Sequence, residues 1–176
     1  MISLEIPLIN DVIRFLVQTS VDPVLYTVVL FIFAILDASI LPLPAETGLL
    51  ISLGSPPSAT VRALVFGAGT AVGSSLVFLL GRGAESWLDR LGARWEWFGK
   101  LLKVLREFVA KTRYLGIFLF LSIPGMPDAL PSYFFSFFNR RGVMELRLYL
   151  PTVFLGGVTR AAIIYALLAL FGIRVT

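Results

Sequence analysis

Long apolar segments alternate with short breaks rich in proline and glycine along most of this chain. The first segment follows Asp22 and Pro23, which suit the N-cap and first turn of a helix, and it continues to Leu41. Two further long segments cover residues 61–80 and 146–171. About 20 apolar residues cross the roughly 30 Å of hydrocarbon in a bilayer. The pattern therefore predicts an all-α polytopic membrane protein with spanning helices.

The break after the first apolar segment has the character of a re-entrant hairpin. Pro42 and Pro44 interrupt the helix, Glu46 follows, and the next apolar stretch is too short to cross before another proline pair. Irregular backbone at membrane depth is tolerated inside protein or beside a water-filled cavity. The sequence predicts a first re-entrant region over about 42–57. The alternative is an ordinary loop with a surface helix.

A second break of the same type follows the apolar stretch that begins at residue 114. The residues that interrupt the helix are Pro124, Gly125, Pro127 and Pro131. We predict a second re-entrant region over about 114–138, with Asp128 near its tip. Broken segments in corresponding positions of two halves are typical of a transporter's central binding site.

Two other segments have amphipathic patterns. Residues 84–112 place aromatic and aliphatic side chains every three or four positions with charges between them, which predicts a helix lying on the membrane surface. A partner-binding or oligomerisation helix is the alternative. Residues 1–20 predict a shorter interfacial helix, and residues 21–176 form a single membrane domain.

The segment 61–80 carries the pair Gly69 and Gly73, which predicts a packing helix ending near residues 81–83.

Composition agrees with a membrane location. Hydrophobic residues make up 57% of the chain and charged residues 15%, and the mean hydropathy is +0.89. Segment 82–113 holds eight of the 15 lysines and arginines, which places it on the cytoplasmic side by the positive-inside rule. These bases alternate with apolar side chains at helical spacing, so we expect no nucleic-acid partner.

The sequence offers little for catalysis. It contains no cysteine and no histidine, which excludes thiolate nucleophiles, zinc–sulfur sites and histidine-based triads. Asp37 and Asp128 could in principle form a two-aspartate intramembrane protease, but neither has the Gly-x-Gly-Asp context associated with such enzymes. We therefore expect neither an enzyme nor a cofactor.

Several charged residues lie where lipid should exclude them. Asp37 interrupts the first apolar segment, and Arg160 lies about fourteen residues into the last. Such residues are expensive in hydrocarbon unless they face a partner or a cavity. We expect Arg160 to lie beside Asp37, Glu46 or Asp128, and Asp37 and Glu46 to approach one another. An ion-pair network that only locks the two halves together is the alternative. Arg62 and Arg82 lie near span ends, where snorkelling explains them.

Short motifs recur in order along the two halves. Those of the first half are Asp37, Pro42-Leu43-Pro44-Ala45-Glu46, Leu53-Gly54, Gly67-x-Gly69-x-x-x-Gly73 and Phe78-Leu79-Leu80-Gly81-Arg82. Those of the second half are Gly116-x-Phe118, Leu119-Phe120-Leu121-Ser122-Ile123-Pro124-Gly125, Pro131-Ser132-Tyr133-Phe134 and Thr152-x-x-Leu155-Gly156-Gly157. Together they resemble the DedA family, also called the VTT or SNARE-associated Golgi protein domain, over roughly residues 23–172.

The resemblance implies spanning helices with two re-entrant hairpins and movement of lipids between leaflets, in some members dependent on a proton gradient. By position, Asp37 and Glu46 match acidic residues of the family's first hairpin, and Arg82 matches the arginine of its first-half motif. The family's two arginines around the second proline motif are replaced here by Ser122 and by Pro127-Asp128. Arg140, Arg141 and Arg160 are the candidates to bind phosphate in their place.

The functional hypothesis is a transporter that moves an amphiphilic, anionic lipid, a polyprenyl phosphate or a phospholipid, between leaflets. Asp37 and Glu46 would handle protons or a monovalent cation, and Arg82 and Arg160 would attract phosphate. Asp128 is a further candidate residue of this substrate- or proton-binding site. The expected partners are membrane lipids, and a homo-oligomer is compatible with the sequence. The alternatives are a proton-coupled exporter of small cationic compounds and a membrane scaffold that transports nothing.

Overall fold

A computed structural model describes residues 14–15, 18–19, 21–40, 46–50, 58–139 and 143–171, and within them every regular element is a helix. The helices are α1 (Pro23–Ser39), α2 (Glu46–Leu50), α3 (Ala59–Arg94), α4 (Glu96–Leu121), α5 (Ala129–Phe137) and α6 (Leu146–Leu170). Pro42, Pro44 and most of residues 1–20 lie outside the described residues. The N-terminal interfacial helix and the first proline break therefore stay predictions.

The three long apolar helices begin close to their predicted positions, and the first and the last of them also end close to prediction. Asp22 caps α1, since its Oδ1 accepts hydrogen bonds from the N–H groups of Val24 and Leu25 at 2.8 and 3.2 Å. Ala59–Gly81 and Leu146–Leu170 are long and apolar enough to cross a membrane, and α1 is a shorter apolar helix of 17 residues. At 1.5 Å per residue, the two long segments measure about 34 and 38 Å.

The predicted end of the second apolar helix at residues 81–83 is wrong. Helix α3 continues to Arg94, and extended backbone at Trp95 separates it from α4. Gly81 does not end the helix. It allows α3 and α5 to approach closely, because a Cβ at this position would lie 2.6 Å from the backbone of Ser136 in α5.

The predicted single surface helix over 84–112 is consequently two helices that form a hairpin. Near the turn, a Cβ on Gly99 would lie 2.8 Å from the carbonyl oxygen of Gly92. Further from the turn, Arg106 Nη1 lies 2.6 Å from Asp89 Oδ1. Part of the stripe predicted to face lipid packs inside the protein instead. Its buried members are Leu88, Leu102 and Val109.

Helix α3 is the centre of the helix packing. On one side α3 lies close to α1. A Cβ on Gly69 would lie 2.6 Å from the Cβ of Ala34, and a Cβ on Gly73 would clash with the carbonyl oxygen of Ile35. On another side a Cβ on Gly157 of α6 would lie 2.9 Å from the Cα of Gly67. Small residues let helix backbones approach this closely. The predicted packing role of this helix is confirmed.

Helix α4 contains a sharp kink at Arg113, whose φ of 43° and ψ of −129° are non-helical. The kink separates the amphipathic part of α4 from a short apolar part over 114–121, where the sequence pattern also changes. Side chains rarely adopt a positive φ, because the Cβ then crowds the backbone. The kink therefore stores strain.

Replacing Arg113 with glycine should stabilise the protein. Such backbone strain costs roughly 1–3 kcal/mol, and the extra freedom of an unfolded glycine offsets about 0.5–1 kcal/mol of the gain. We expect a rise in Tm of roughly 2–4 °C in detergent, measured by thermal unfolding. Lys111→Gly is the matched control: it lies in regular helix two residues earlier and should lower Tm. A lower Tm for Arg113→Gly would contradict the strain argument.

The second predicted break is a turn between the apolar end of α4 and α5. Pro124 and Pro127 lie in this turn, and Gly125 has a φ of +80°. Pro131 does not break the helix as predicted, because it lies in the first turn of α5, where backbone N–H groups have no intrahelical partner.

A hydrogen bond ties the apolar part of α4 to the start of α6. Tyr114 Oη accepts this bond from the N–H of Glu145 at 2.8 Å.

Candidate functional site

Arg160 is the centre of a buried charged cluster. It lies within α6 and is fully buried. Its Nε donates a hydrogen bond of 2.7 Å to the carbonyl oxygen of Leu121, at the end of α4. Its Nη1 forms ion pairs of 2.5 Å with Asp128 Oδ1 and 3.2 Å with Glu46 Oε1. One guanidinium therefore connects α6 with both interrupted regions of the chain.

Asp128 is held from two directions. Its Oδ1 faces Arg160, and its Oδ2 accepts a hydrogen bond of 3.0 Å from the Thr70 hydroxyl of α3. The carboxylate is fully buried. Burial of a charge is unfavourable unless the charge is paired and hydrogen-bonded, and both conditions are met here.

Glu46 reaches the same point from the start of α2. Both of its carboxylate oxygens lie 3.0 Å from the backbone nitrogen of Gly125, whose N–H donates to them. The side chain is 24% exposed, compared with 1% for Asp128. Glu46 is therefore the member of the cluster with access to the surface.

The charges in the cluster do not balance when all three groups are ionised. Glu46 and Asp128 carry two negative charges and Arg160 carries one positive charge, so one negative charge remains. In addition, Arg160 Nη2 has no hydrogen-bond acceptor among the described residues. Among the described groups, the cluster thus has an excess of one negative charge and one guanidinium nitrogen without an acceptor.

Asp37 and Arg82 are the other two predicted site residues. Asp37 is buried in α1, and its expected approach to Glu46 stays a prediction. Arg82 lies within α3, and its side chain is outside the described residues. Of the acidic residues considered as partners for Arg160, the structure therefore places Glu46 and Asp128 beside it.

The prediction that Arg62 snorkels to the membrane surface is wrong. Its side chain is fully buried, and its guanidinium lies 5.6 Å from the ring centroid of Tyr165 in α6. The first turns of α3 pack between α1 and α6, where Ala63 and Ala161 belong to the same core cluster. A residue near the end of a span is thus enclosed by its neighbours.

The sequence interpretation missed the polar residues that support the acids. Thr70 anchors Asp128, and one turn further along α3 the hydroxyl of Ser74 lies 2.7 Å from that of Ser132 in α5. Thr70 and Ser74 are four residues apart within an apolar segment, so they share one helix face. This four-residue spacing is the sequence signal from which a polar face on α3 could have been predicted.

An apolar groove of about 490 Å³ lies next to the turn that carries Gly125. Met126 and Pro131 form its near end, and α4 and α5 supply aromatic side chains along it. The aromatic lining residues are Phe108, Phe120, Phe134 and Phe135. The side chains that line the groove are apolar, so the groove suits a hydrocarbon chain.

Among the described residues no group of three or more carboxylates is close enough to hold a metal ion. No protein-family model, no curated protein and no solved structure matches this chain.

Proposed function

We propose that this chain is a polytopic membrane protein that moves an amphiphilic, anionic lipid between leaflets. The observation that carries the proposal is Arg160, which is fully buried within an apolar helix and faces a carboxylate from each of two interrupted segments. Ionisable residues inside a membrane mark substrate or ion pathways by default. In this proposal α4 and α5 form a re-entrant hairpin, and α2 belongs to another.

The chemistry of the site fits a phosphate headgroup. A guanidinium is planar and binds oxyanions through two parallel N–H groups, and Arg160 Nη2 is such a donor. The aromatic groove beside the Gly125 turn would hold the hydrocarbon chain of the same lipid. In this proposal the phosphate of one lipid binds at Arg160, and its hydrocarbon chain binds in the neighbouring groove.

The unbalanced negative charge supports coupling to a proton or a monovalent cation. A cation that enters with the lipid phosphate would limit the charge placed in low dielectric, where unpaired charge is unfavourable. We further propose that the α3–α4 hairpin lies at the cytoplasmic surface, where its lysines and arginines would face anionic headgroups.

Leaflet exchange in reconstituted vesicles tests the proposal. Vesicles containing the purified chain should accelerate transfer of a fluorescent polyprenyl phosphate or phospholipid between leaflets, measured by the fraction open to an external quencher. Asp128→Asn should reduce the rate at least tenfold, because it removes a negative charge that orients Arg160. Glu96→Gln is the matched control, since Glu96 pairs with Lys100 on an exposed surface.

The result also separates the alternatives. Wild-type vesicles that exchange neither lipid faster than empty vesicles, with or without a pH gradient, would contradict lipid transport. Acceleration that is insensitive to Asp37→Asn and Glu46→Gln would remove the proton role while retaining transport.

A further inference from the structure

Glu46 is held less firmly than the other carboxylate of the site. Its ion pair with Arg160 is 3.2 Å long, against 2.5 Å for Asp128, and its side chain is partly exposed. Asp128 also has the Thr70 hydroxyl as a donor, whereas the other donor to Glu46 within the described part of the chain is a backbone N–H. Of the two acids, Glu46 can leave at lower cost, because water can reach it.

The donors around Glu46 form an oxyanion site. The N–H of Gly125 and Nη1 of Arg160 converge on the same carboxylate from different segments. Gly125 has a φ of +80°, a conformation that glycine adopts without steric penalty. Backbone N–H groups presented by such turns bind anions, including phosphate. A carboxylate and a phosphate present similar oxygens to these two donors.

We propose that the Glu46 carboxylate is an internal substitute for the substrate's phosphate group, and that it must leave Arg160 and Gly125 before a lipid headgroup binds there. This inference rests on the proposed function for the identity of the substrate. The anion subsite itself rests on the geometry alone. Asp128 stays in place when Glu46 leaves and keeps Arg160 oriented.

The exchange avoids the accumulation of negative charge. A phosphate that joined both carboxylates would place at least three negative charges around one guanidinium. Replacement of one anion by another leaves the site close to its original charge. Glu46 therefore competes with the ligand, and its removal should strengthen anion binding at the site, the opposite of what a substrate-binding acid would do.

Small anions test the subsite without any lipid. The purified full-length Glu46→Ala variant in detergent should unfold at a lower Tm than wild type, and tens of millimolar sodium formate or phosphate should restore several degrees relative to chloride of equal ionic strength. Wild type should show no such recovery, because its own carboxylate fills the subsite. Glu96→Ala, on the exposed surface, should also show none. Absence of an anion-specific recovery in Glu46→Ala would overturn the proposal.

A phosphate-bearing amphiphile tests the competition. We expect farnesyl monophosphate to bind Glu46→Gln about tenfold more tightly than wild type, measured by calorimetry in the same detergent, with Glu96→Gln unchanged. Equal or weaker binding to Glu46→Gln would overturn the competition. If leaflet exchange fails while both anion effects are observed, the lipid function is wrong and the subsite stands.

Discussion

Replacing Arg160 with methionine should lower the free energy of unfolding by about 3–5 kcal/mol, because it leaves two carboxylates facing each other without a cation. The Leu121 carbonyl oxygen also loses its donor. For a chain of this length, the loss corresponds to a decrease in Tm of roughly 10 °C, measurable by thermal unfolding in detergent. A change below about 1 kcal/mol would contradict the burial and pairing described for the cluster.

A neutral triple variant separates the transport proposal from a structural lock. In Glu46→Gln with Asp128→Asn and Arg160→Gln, no charge is left unpaired, so we expect it to unfold at a higher Tm than Arg160→Met. Replacement of a complete buried ion network by neutral groups is often well tolerated. This variant should nevertheless give no leaflet exchange above empty vesicles. Exchange at the wild-type rate would mean that the network only joins the two halves.

Gly69→Val should strongly disturb the helix packing. The new Cβ would lie 2.6 Å from that of Ala34 and 2.7 Å from the carbonyl oxygen of Phe31, so α1 must move away from α3. Valine adds two methyl groups to this clash. We expect a loss of about 3 kcal/mol, at the upper end for overpacked sites, seen as a lower Tm and a lower yield of monodisperse protein.

Gly83 provides the control within the same helix. A Cβ at Gly83 would meet no atom within 4 Å, so Gly83→Ala should be neutral or raise stability by up to about 1 kcal/mol through helix propensity. If Gly69→Val proved as harmless as Gly83→Ala, the close approach of α1 and α3 would be refuted.

The elements that the sequence predicted well depend on local signals. Asp22 and Pro23 mark the start of α1, and Pro124 and Pro127 mark the turn before α5. The hairpin around Trp95 could not be predicted in this way, because a glycine that ends a helix and a glycine that contacts another helix look alike in sequence. Only the position of α5 decides between them at Gly81.

The same distinction applies to the site. The rule that charges in apolar segments need partners correctly grouped Arg160 with Glu46 and Asp128. The snorkelling argument misplaced Arg62, whose burial depends on α1 and α6 and not on its own segment. The Gly125 N–H could not have been predicted as a donor, because every residue except proline has one and only the fold selects this one.

The link between Tyr114 and Glu145 determines which part of the protein can rearrange. The apolar part of α4 is hydrogen-bonded to α6 near both of its ends, through Glu145 to Tyr114 and through Arg160 to Leu121. These two bonds tie the end of α4 to α6, and the Gly125 turn begins directly after the tied segment. A displacement that separates Glu46 from Gly125 should therefore be carried by α2, which moves against a stationary frame.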